Sequence, residues 1–346
     1  MHKKTKIGKM NDIQPPSESK ILIIRFSSIG DIVLTTPVIR AVKQQIKGAT
    51  VHFLVKKSFQ ELALNNPYID KVHIYDGESD TVVEELKKEG FSFVIDLQKN
   101  HRSRKIVNKL HVPHKTFPKC NIRKAILVST KLNFLPKRHI VDRYFDAVAE
   151  MGVTNDKKGL DFFIPESERF DTQELPAGFE NGYIAVSVGA KHTTKRIPVA
   201  KIIEIGNLLF KPIVLLGDRH DIAAGEEIAA QMNGKALNAC GKYSLSMTAS
   251  IVEQSDCVLT ADTGIMHIAA ALRKPIVSIW GNTVPELGMY PYTAPDAPAA
   301  RIFEIPYLKC RPCSKLGFEK CPHKHFKCMN LISSYEVADC INHLEY

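Results

Sequence analysis

The feature that most constrains this chain is a repeated alternation of short apolar runs with segments of helical composition. In the first half the apolar runs lie at 21–24, 51–55, 72–75 and 93–96. In the second half they lie at 183–188, 212–216, 236–238, 258–261 and 276–280. Uninterrupted apolar runs are typical of parallel strands buried on both faces, with the helices as right-handed crossovers. The sequence therefore predicts an α/β fold of two Rossmann-like, doubly wound domains that face a central cleft.

The length of 346 residues also favours two domains over one. A stretch rich in Pro, Gly and charge separates the two series, and a helical pattern ends the chain. We therefore predict a disordered tail at 1–19, a first domain at 20–165, a linker at 166–180 and a second domain at 181–330. We predict that a C-terminal helix at 331–346 packs back on the first domain.

Composition narrows the function. The chain is 44% hydrophobic and 24% charged, which is ordinary for a soluble protein, and no apolar run is long enough for a membrane span. With no signal-peptide pattern, it is expected to be cytoplasmic. A net charge of +10 indicates an anionic partner. The sequence has no nucleic-acid-binding signature, no G-x-G-x-x-G after a strand and no Walker A motif, which disfavours nucleic-acid binding, nicotinamide chemistry and NTP hydrolysis.

Polar residues gather in four turns that follow apolar runs, at 27–31, 189–196, 217–218 and 262–264. Parallel strands share one carboxyl edge, where open α/β sheets bind ligands. Asp262, Thr263 and Gly264 also begin a helix, whose free N–H groups suit a diphosphate, and His267 lies one turn further on. The alternative is that Asp262 or Thr263 only caps the helix and that His267 is a core residue.

The turn at 189–196 carries two hydroxyls and three cations. Thr193, Thr194 and Lys195 are groups that a diphosphate would use, and Gly217 joins them in the predicted binding set. The alternative is an ordinary polar loop.

Residues 99–124 hold nine cations and no acidic residue. A stretch of one sign within a folded domain favours an anionic ligand over a merely solvated surface, on which mixed signs are usual.

The C-terminal region holds Cys310, Cys313, Cys321 and Cys328, with two histidines between the last two. These ligand types suit zinc, so a structural zinc site is one interpretation. A reduced or regulatory thiol cluster is the other.

Three of these segments together resemble the signatures of the bacterial lipopolysaccharide heptosyltransferases, glycosyltransferase family 9. They read IRFSSIGDI at 24–32, KRIP at 195–198 and DTGIMH at 262–267. The chain departs from this pattern at Ile197, where family members often carry Trp.

The resemblance implies a GT-B fold and inverting transfer of a sugar, usually heptose from ADP-heptose, to the inner core of lipopolysaccharide. No obligatory metal is expected, because Lys195 and the N–H groups of a helix end can stabilise the leaving diphosphate. The resemblance also makes Asp31 the general base and Lys195 the group that stabilises the diphosphate. Asp262, Thr263, Gly264 and His267 match donor-binding positions.

A nucleotide sugar and an anionic lipid A–core acceptor at the cytoplasmic face of the inner membrane are the expected partners, and nucleic acid is not. Five residues form the predicted acceptor site: Ser28, Gly30, Arg102, Lys105 and Lys109. The first two lie in the turn that carries Asp31, and the other three come from the basic stretch. A nucleotide-sugar epimerase of GT-B type and a non-catalytic protein that binds anionic glycans remain alternatives. A helix cap is the rival role for Asp31.

Overall fold

The computed structural model describes residues 19–344, so residues 1–18 of the predicted disordered tail and residues 345–346 lie outside it. The described part of the first half consists of β1 (Lys20–Ile24), α1 (Ile29–Val33), α2 (Thr36–Gln45), β2 (Thr50–Lys56), α3 (Glu61–Leu64), β3 (Lys71–Tyr75), α4 (Ser79–Lys87), β4 (Phe93–Asp96), α5 (His101–Leu110), β5 (His114–Thr116), α6 (Asn121–Thr130) and α7 (Ile140–Phe145).

The first sheet has five parallel strands in the order β3-β2-β1-β4-β5. Alternate residues of β1 enter different cores, since Ile21 and Ile23 pack on one face and Leu22 and Ile24 on the other. This two-sided burial explains why the run is apolar throughout. The chain moves outward from β1 to β3 and then returns with β4 on the other side of β1. Such a reversal opens a crevice beyond the carboxyl ends of β1 and β4.

The second half continues with β6 (Ile184–Ser187), α8 (Val199–Leu208), β7 (Ile213–Leu216), α9 (Ile222–Ala230), β8 (Ala236–Asn238), α10 (Leu245–Gln254), β9 (Cys257–Ala261), α11 (Gly264–Ala271), β10 (Ile276–Trp280), β11 (Arg301–Glu304), α12 (Lys327–Asn330) and α13 (Ser334–Asn342). Its sheet has six parallel strands in the order β11-β10-β9-β6-β7-β8. Here the reversal falls between β6 and β9, which precede two of the predicted polar turns.

The two halves meet where α1 packs against α11. Glycines make this approach possible. A Cβ added to Gly30 would lie 2.5 Å from Cδ2 of His267, and one added to Gly264 would lie 3.0 Å from Cγ2 of Ile29. The crevices of both sheets therefore open at the same junction.

The residues between β1 and β2 form two short helices, α1 and α2, instead of one continuous helix. Pro37 lacks an N–H group, so it cannot donate the backbone hydrogen bond that a continuous helix requires at this position. The chain turns instead after Val33, where the hydroxyls of Thr35 and Thr36 donate to the carbonyls of Ile32 and Val33 at 2.6 and 2.8 Å. As a result Asp31 lies inside a helix of its own, α1, and not in the preceding loop.

The prediction that the C-terminal helix packs back on the first domain is wrong. Val337, Ala338 and Ile341 of α13 join the apolar core of the second half, and α13 lies against α8. The Asn342 side chain also donates to the carbonyl of Leu208 at 2.9 Å. The apolar face of α13 is thus covered by its own half. Among the described residues, no helix combines the length and apolar character needed to cross a bilayer.

Candidate active site between the two sheets

Three of the predicted turns meet at the junction of α1 and α11. Asp31 lies in α1, and Lys195 ends a single 3-10 turn that follows β6. Lys195 Nζ lies 2.6 Å from Oδ2 of Asp262, the residue before the α11 cap. The ring of His267, in α11, lies against Gly30 of α1. The fold thus brings residues of the turns after β1, β6 and β9 to one place, as their positions at strand ends predict.

Asp31 is held within its own turn. Its Oδ1 accepts from Arg25 Nη2 at 2.5 Å. Its Oδ2 accepts from the backbone N–H and the hydroxyl of Ser28 at 3.2 and 2.9 Å. Burial acts to raise the pKa of Asp31, but the Arg25 charge and the Ser28 hydrogen bonds outweigh it, and the pKa lies below its ordinary value. The carboxylate is therefore ionised at neutral pH, with 26% of the side chain exposed.

The rival role of Asp31, a helix cap, is also present. Ser28 and Asp31 form the reciprocal capping box of α1. A carboxylate has about four lone-pair sites, and the contacts to Arg25 and Ser28 occupy three of them. Capping and proton abstraction are thus compatible at one carboxylate.

Lys195 and Asp262 form a partly buried ion pair on the opposite side of the junction. The Lys195 side chain is 19% exposed and that of Asp262 is 11% exposed. Asp262 Oδ2 also accepts from the hydroxyl of Thr283 at 3.0 Å, and Lys195 Nζ donates to the Asp262 carbonyl at 3.2 Å. An ammonium has three donors, so one remains for an anion. Thr283 was missed in the sequence, although it follows the apolar run of β10 as the other site residues follow theirs.

The first turn of α11 has no side-chain cap. Thr263 occupies the N-cap position, but its hydroxyl pairs with that of Thr260 at 3.0 Å. The N–H groups that begin a helix normally require an acceptor, and they favour an anion because of the helix dipole. Thr263 and Gly264 are both partly exposed, so this end of α11 is available to a ligand.

His267 is buried at the same junction, and its Nδ1 has no hydrogen-bond partner within the described chain. Burial lowers the pKa of His267 to about 4, against the opposing effects of Asp262 and Asp31. The imidazole is therefore neutral at pH 7. An unpaired buried polar atom costs about 1–3 kcal/mol, which a ligand or a water molecule would recover.

Three residues of the predicted binding set have local roles in the structure. Thr194 is 2% exposed, and its hydroxyl contacts the carbonyl and N–H of Phe318 at 3.0 and 2.8 Å. Thr193 faces Glu319 at 3.4 Å. A Cβ on Gly217 would lie 2.7 Å from the Cβ of Asp221. The hydroxyl of Thr194 is thus already occupied, and Gly217 is explained by close packing.

Two of the basic residues assigned to the acceptor have a carboxylate partner. Lys105 and Lys109 of α5 contact Asp80 Oδ1 at 3.1 and 2.7 Å. Arg102 is exposed and forms no ion pair with residues 19–344. The sequence could not reveal the Asp80 contact, because Asp80 lies outside the basic stretch.

Other cations of the same stretch lie near Asp31. Burial and the charge of Arg143 lower the pKa of Lys124 to about 8, while Cys120 and Asp31 oppose this shift. Burial and Arg25 likewise lower the pKa of Lys119, whose Nζ donates to the carbonyls of Gln98 and Lys99 at 3.1 Å each. Lys119 and Lys124, at the end of the stretch, thus lie within electrostatic range of the candidate base.

Three side chains of the C-terminal cysteine-rich region lie close together in the structure. Ligand atoms of Cys310, Cys313 and His323 lie within 4.8 Å of one another. In the described part of the chain, one other set of possible metal ligands lies this close together. It consists of His52, His73 and Glu89, on β2, β3 and the connection between α4 and β4.

Two facing Rossmann-like domains with a cleft between them are the GT-B fold, so the predicted fold class is confirmed. The sequence profile described as glycosyltransferase family 9 (heptosyltransferase) matches residues 81–318. The chain therefore belongs to this family, and the resemblance seen in its motifs is confirmed.

Individual relatives are distant but cover most of the chain. Lipopolysaccharide heptosyltransferase 1 of Campylobacter coli is 23% identical over 76% of this chain and 84% of its own length. Lipopolysaccharide heptosyltransferase 2 of Salmonella typhimurium is 23% identical over 83% of this chain and 88% of its own.

Solved structures share the whole fold. The family 9 glycosyltransferase of Veillonella parvula superposes with a TM-score of 0.74 at 22% identity, covering 93% of this chain and 96% of that one. For ADP-heptose lipopolysaccharide heptosyltransferase II of E. coli the TM-score is 0.71 at 20% identity, covering 93% and 97% of the two chains.

Proposed function

We propose that this protein is an inverting heptosyltransferase that transfers heptose from ADP-heptose to the inner core of lipopolysaccharide. The observation that carries the proposal is the position of Asp31 on one side of the junction and of Lys195, α11 and His267 on the other. A base and an anion-binding wall that face each other across a cleft suit a single displacement at a nucleotide sugar. The names of the relatives support heptose and lipopolysaccharide as its substrates.

In the proposed reaction the acceptor hydroxyl gives its proton to the Asp31 carboxylate. Its oxygen forms a bond to the anomeric carbon of the heptose as the bond from that carbon to the diphosphate oxygen breaks. The leaving ADP keeps the bonding electrons. An acceptor hydroxyl is a weak nucleophile, so a carboxylate within hydrogen-bond reach is the group that the step requires. Attack from the side opposite the leaving group inverts the anomeric configuration.

The leaving ADP gains negative charge, and the second half supplies its counter-charge. The free donor of Lys195 and the uncapped N–H groups of α11 stabilise the diphosphate without a metal ion taking part in the step. A neutral His267, with its unpartnered Nδ1, is able to accept a hydrogen bond from a hydroxyl group of the sugar or of the ribose. We also assign to the donor Thr193, which begins the 3-10 turn that Lys195 ends, and Gly217, which follows β7.

The acceptor lies on the first half, next to Ser28 and Gly30. Lys119 and Lys124 meet its phosphates or carboxylates closest to Asp31, and Arg102, Lys105 and Lys109 form a more distant basic surface. Because the net charge is +10, an anionic acceptor gains affinity from long-range attraction as well.

The surface around α6 suits the lipid end of the acceptor. In α6 only Leu127 is buried, whereas Ile122, Leu132 and Phe134 are 79%, 58% and 58% exposed. Exposed apolar side chains bordered by cations match an anionic lipid surface. We therefore infer a peripheral position on the cytoplasmic face of the inner membrane.

The test is a transfer assay with purified protein, ADP-heptose and a lipid A–core acceptor. The proposal expects ADP release that depends on the acceptor, together with a heptosylated product of inverted configuration. A change of the donor sugar without acceptor would support an epimerase instead, and donor binding without turnover would support a binding protein. UDP- and GDP-sugars serve as controls in a thermal-shift screen, because only a ligand of the folded state raises the melting temperature.

A further inference from the structure

The segment between β11 and α12 has no helix or strand among its described residues. A connection longer than about 12–15 residues without secondary structure is uncommon in a compact domain and usually has a functional or structural reason. This segment, residues 305–326, contains Cys310, Cys313, Cys321, His323 and His325, and Cys328 follows it in α12. The proposed transfer reaction uses none of these side chains.

Three of these side chains converge in space. Ligand atoms of Cys310, Cys313 and His323 lie within 4.8 Å of one another. In a tetrahedral zinc site, with bonds of about 2.3 Å to sulfur and about 2.0 Å to nitrogen, neighbouring ligand atoms are roughly 3.5–3.8 Å apart. Small side-chain rotations would bring the three atoms to this spacing. Cys313 would turn away from the Cys310 carbonyl, to which its thiol now donates at 2.9 Å.

Cys328 is the best candidate for a fourth ligand. It is buried on α12, at the end of the segment. Cys328 lies in the apolar core of the second half, two residues after the segment ends, and its thiol is free.

His325 is close to the cluster but has the wrong proton arrangement for a ligand. Its Nδ1 accepts from the backbone N–H of Lys327 at 3.0 Å. A neutral imidazole that accepts at one nitrogen carries its proton on the other. Nε2, which lies 3.9 Å from Sγ of Cys310, is then a donor toward that sulfur. Such an N–H donor stabilises a metal-bound thiolate by a hydrogen bond, without contacting the metal itself.

We propose that Cys310, Cys313, His323 and Cys328 bind one Zn²⁺ ion that fixes the segment between β11 and α12. Thiolate and imidazole ligands are those that zinc prefers in closed, tetrahedral structural sites. Binding replaces the thiol protons of three cysteines with the metal and releases three protons to solvent, while the neutral His323 contributes a lone pair.

The zinc would stiffen the surroundings of the Lys195–Asp262 pair. Arg311, which lies between Cys310 and Cys313 in the sequence, donates to the carbonyls of Gly281 and Thr283 at 2.5 and 2.9 Å. Further along the segment, Phe318 holds Thr194, the neighbour of Lys195. The zinc would thus act on the junction through the segment that it closes and would not touch substrate.

The decisive measurement is the metal content of the full chain, purified without a polyhistidine tag and dialysed extensively. About one equivalent of zinc per chain is expected in the wild type. Cys310→Ser and Cys313→Ser should reduce it at least tenfold, whereas Cys120→Ser and Cys340→Ser, outside the cluster, should retain it. A wild-type chain that contains no zinc and takes up none from a zinc-buffered solution would overturn the proposal. Iron in place of zinc would overturn the choice of metal.

The ligand set has its own test. His323→Ala and Cys328→Ser should lose zinc, and His325→Ala and Cys321→Ser should keep at least half of it. Loss in Cys321→Ser with full retention in His323→Ala would replace the proposed set with four cysteines. If a variant does not fold, zinc released from the wild-type chain by a mercurial thiol reagent, measured with a chromogenic chelator, still shows whether cysteine thiolates hold one zinc per chain. No readout depends on transfer activity, so this result is independent of the proposed function.

Discussion

Two groups on opposite sides of the junction, the Asp31 carboxylate and the beginning of α11 with His267, differ in how far their polar atoms are already satisfied. On the first side, Asp31 has partners in Arg25 and Ser28 within its own turn. On the second side, α11 begins without a side-chain cap and Nδ1 of His267 has no partner within the described chain. Groups that already have partners are fixed in position before a ligand arrives, whereas a ligand that supplies partners to unsatisfied groups binds more tightly. In the proposed reaction the paired Asp31 acts as the base, and the unsatisfied groups of the second side bind the donor.

The largest effect is expected from Asp31→Asn. The amide keeps an oxygen that can accept from Ser28, but it cannot take a proton, so kcat should fall by a factor of about 10²–10⁴. The ADP-induced rise in melting temperature should be unchanged, because it reports the second side. Asp80→Asn, which removes a surface carboxylate from the same half, is the matched control. A folded Asp31→Asn enzyme with near-normal turnover would assign Asp31 to capping alone.

Lys195→Met tests the second side and should produce a smaller loss that appears mainly in binding. A charged hydrogen bond contributes about 1.5–3 kcal/mol, so the Kd for ADP should rise about 10- to 100-fold. Calorimetric titration with ADP measures this directly. Lys201→Met, at another lysine of the second half that pairs with Glu204, should bind ADP as the wild type does. An unchanged Kd in Lys195→Met would remove the diphosphate from this wall.

The contact between the two sides can be tested with a pair of glycines. Gly30→Ala adds a Cβ 2.5 Å from the buried ring of His267, whereas Gly264→Ala adds one 3.0 Å from Cγ2 of Ile29. Overpacking of this kind costs about 1–3 kcal/mol, so Gly30→Ala should lower the melting temperature by several degrees and Gly264→Ala by less. Equal melting temperatures for both variants and the wild type would mean that the halves do not pack this closely in solution.

Much of this arrangement could be predicted because it depends on local rules. Two-sided burial makes a parallel strand apolar throughout, and strands of one sheet end at the same edge. Asp31, Lys195 and Asp262 each follow such a strand. The convergence of Lys195 and Asp262 follows from the shared edge of one sheet, whereas the approach of Asp31 depends on the packing of α1 against α11.

The remaining differences come from contacts distant in sequence. The hydroxyl of Thr194 is occupied by Phe318, 124 residues away, and Lys105 and Lys109 meet Asp80 from another helix. The C-terminal helix has an apolar face that would suit either half, and only three-dimensional packing assigns it to α8. Residue type and spacing do not contain this information.

The smallest effect concerns the cations of the first side and appears as a pH dependence. The pKa of Lys124 is about 8, below the ordinary lysine value of roughly 10.4, so its charge is present at pH 7 and is lost as the pH rises toward 9. If Lys124 binds an acidic group of the acceptor, the acceptor KM should rise about three- to tenfold over this range, with the donor KM unchanged. Lys124→Arg stays charged and should flatten the profile. Lys105→Gln, whose lysine already pairs with Asp80, should leave the wild-type pH profile intact. A profile that persists in Lys124→Arg would move the acceptor contact to another cation.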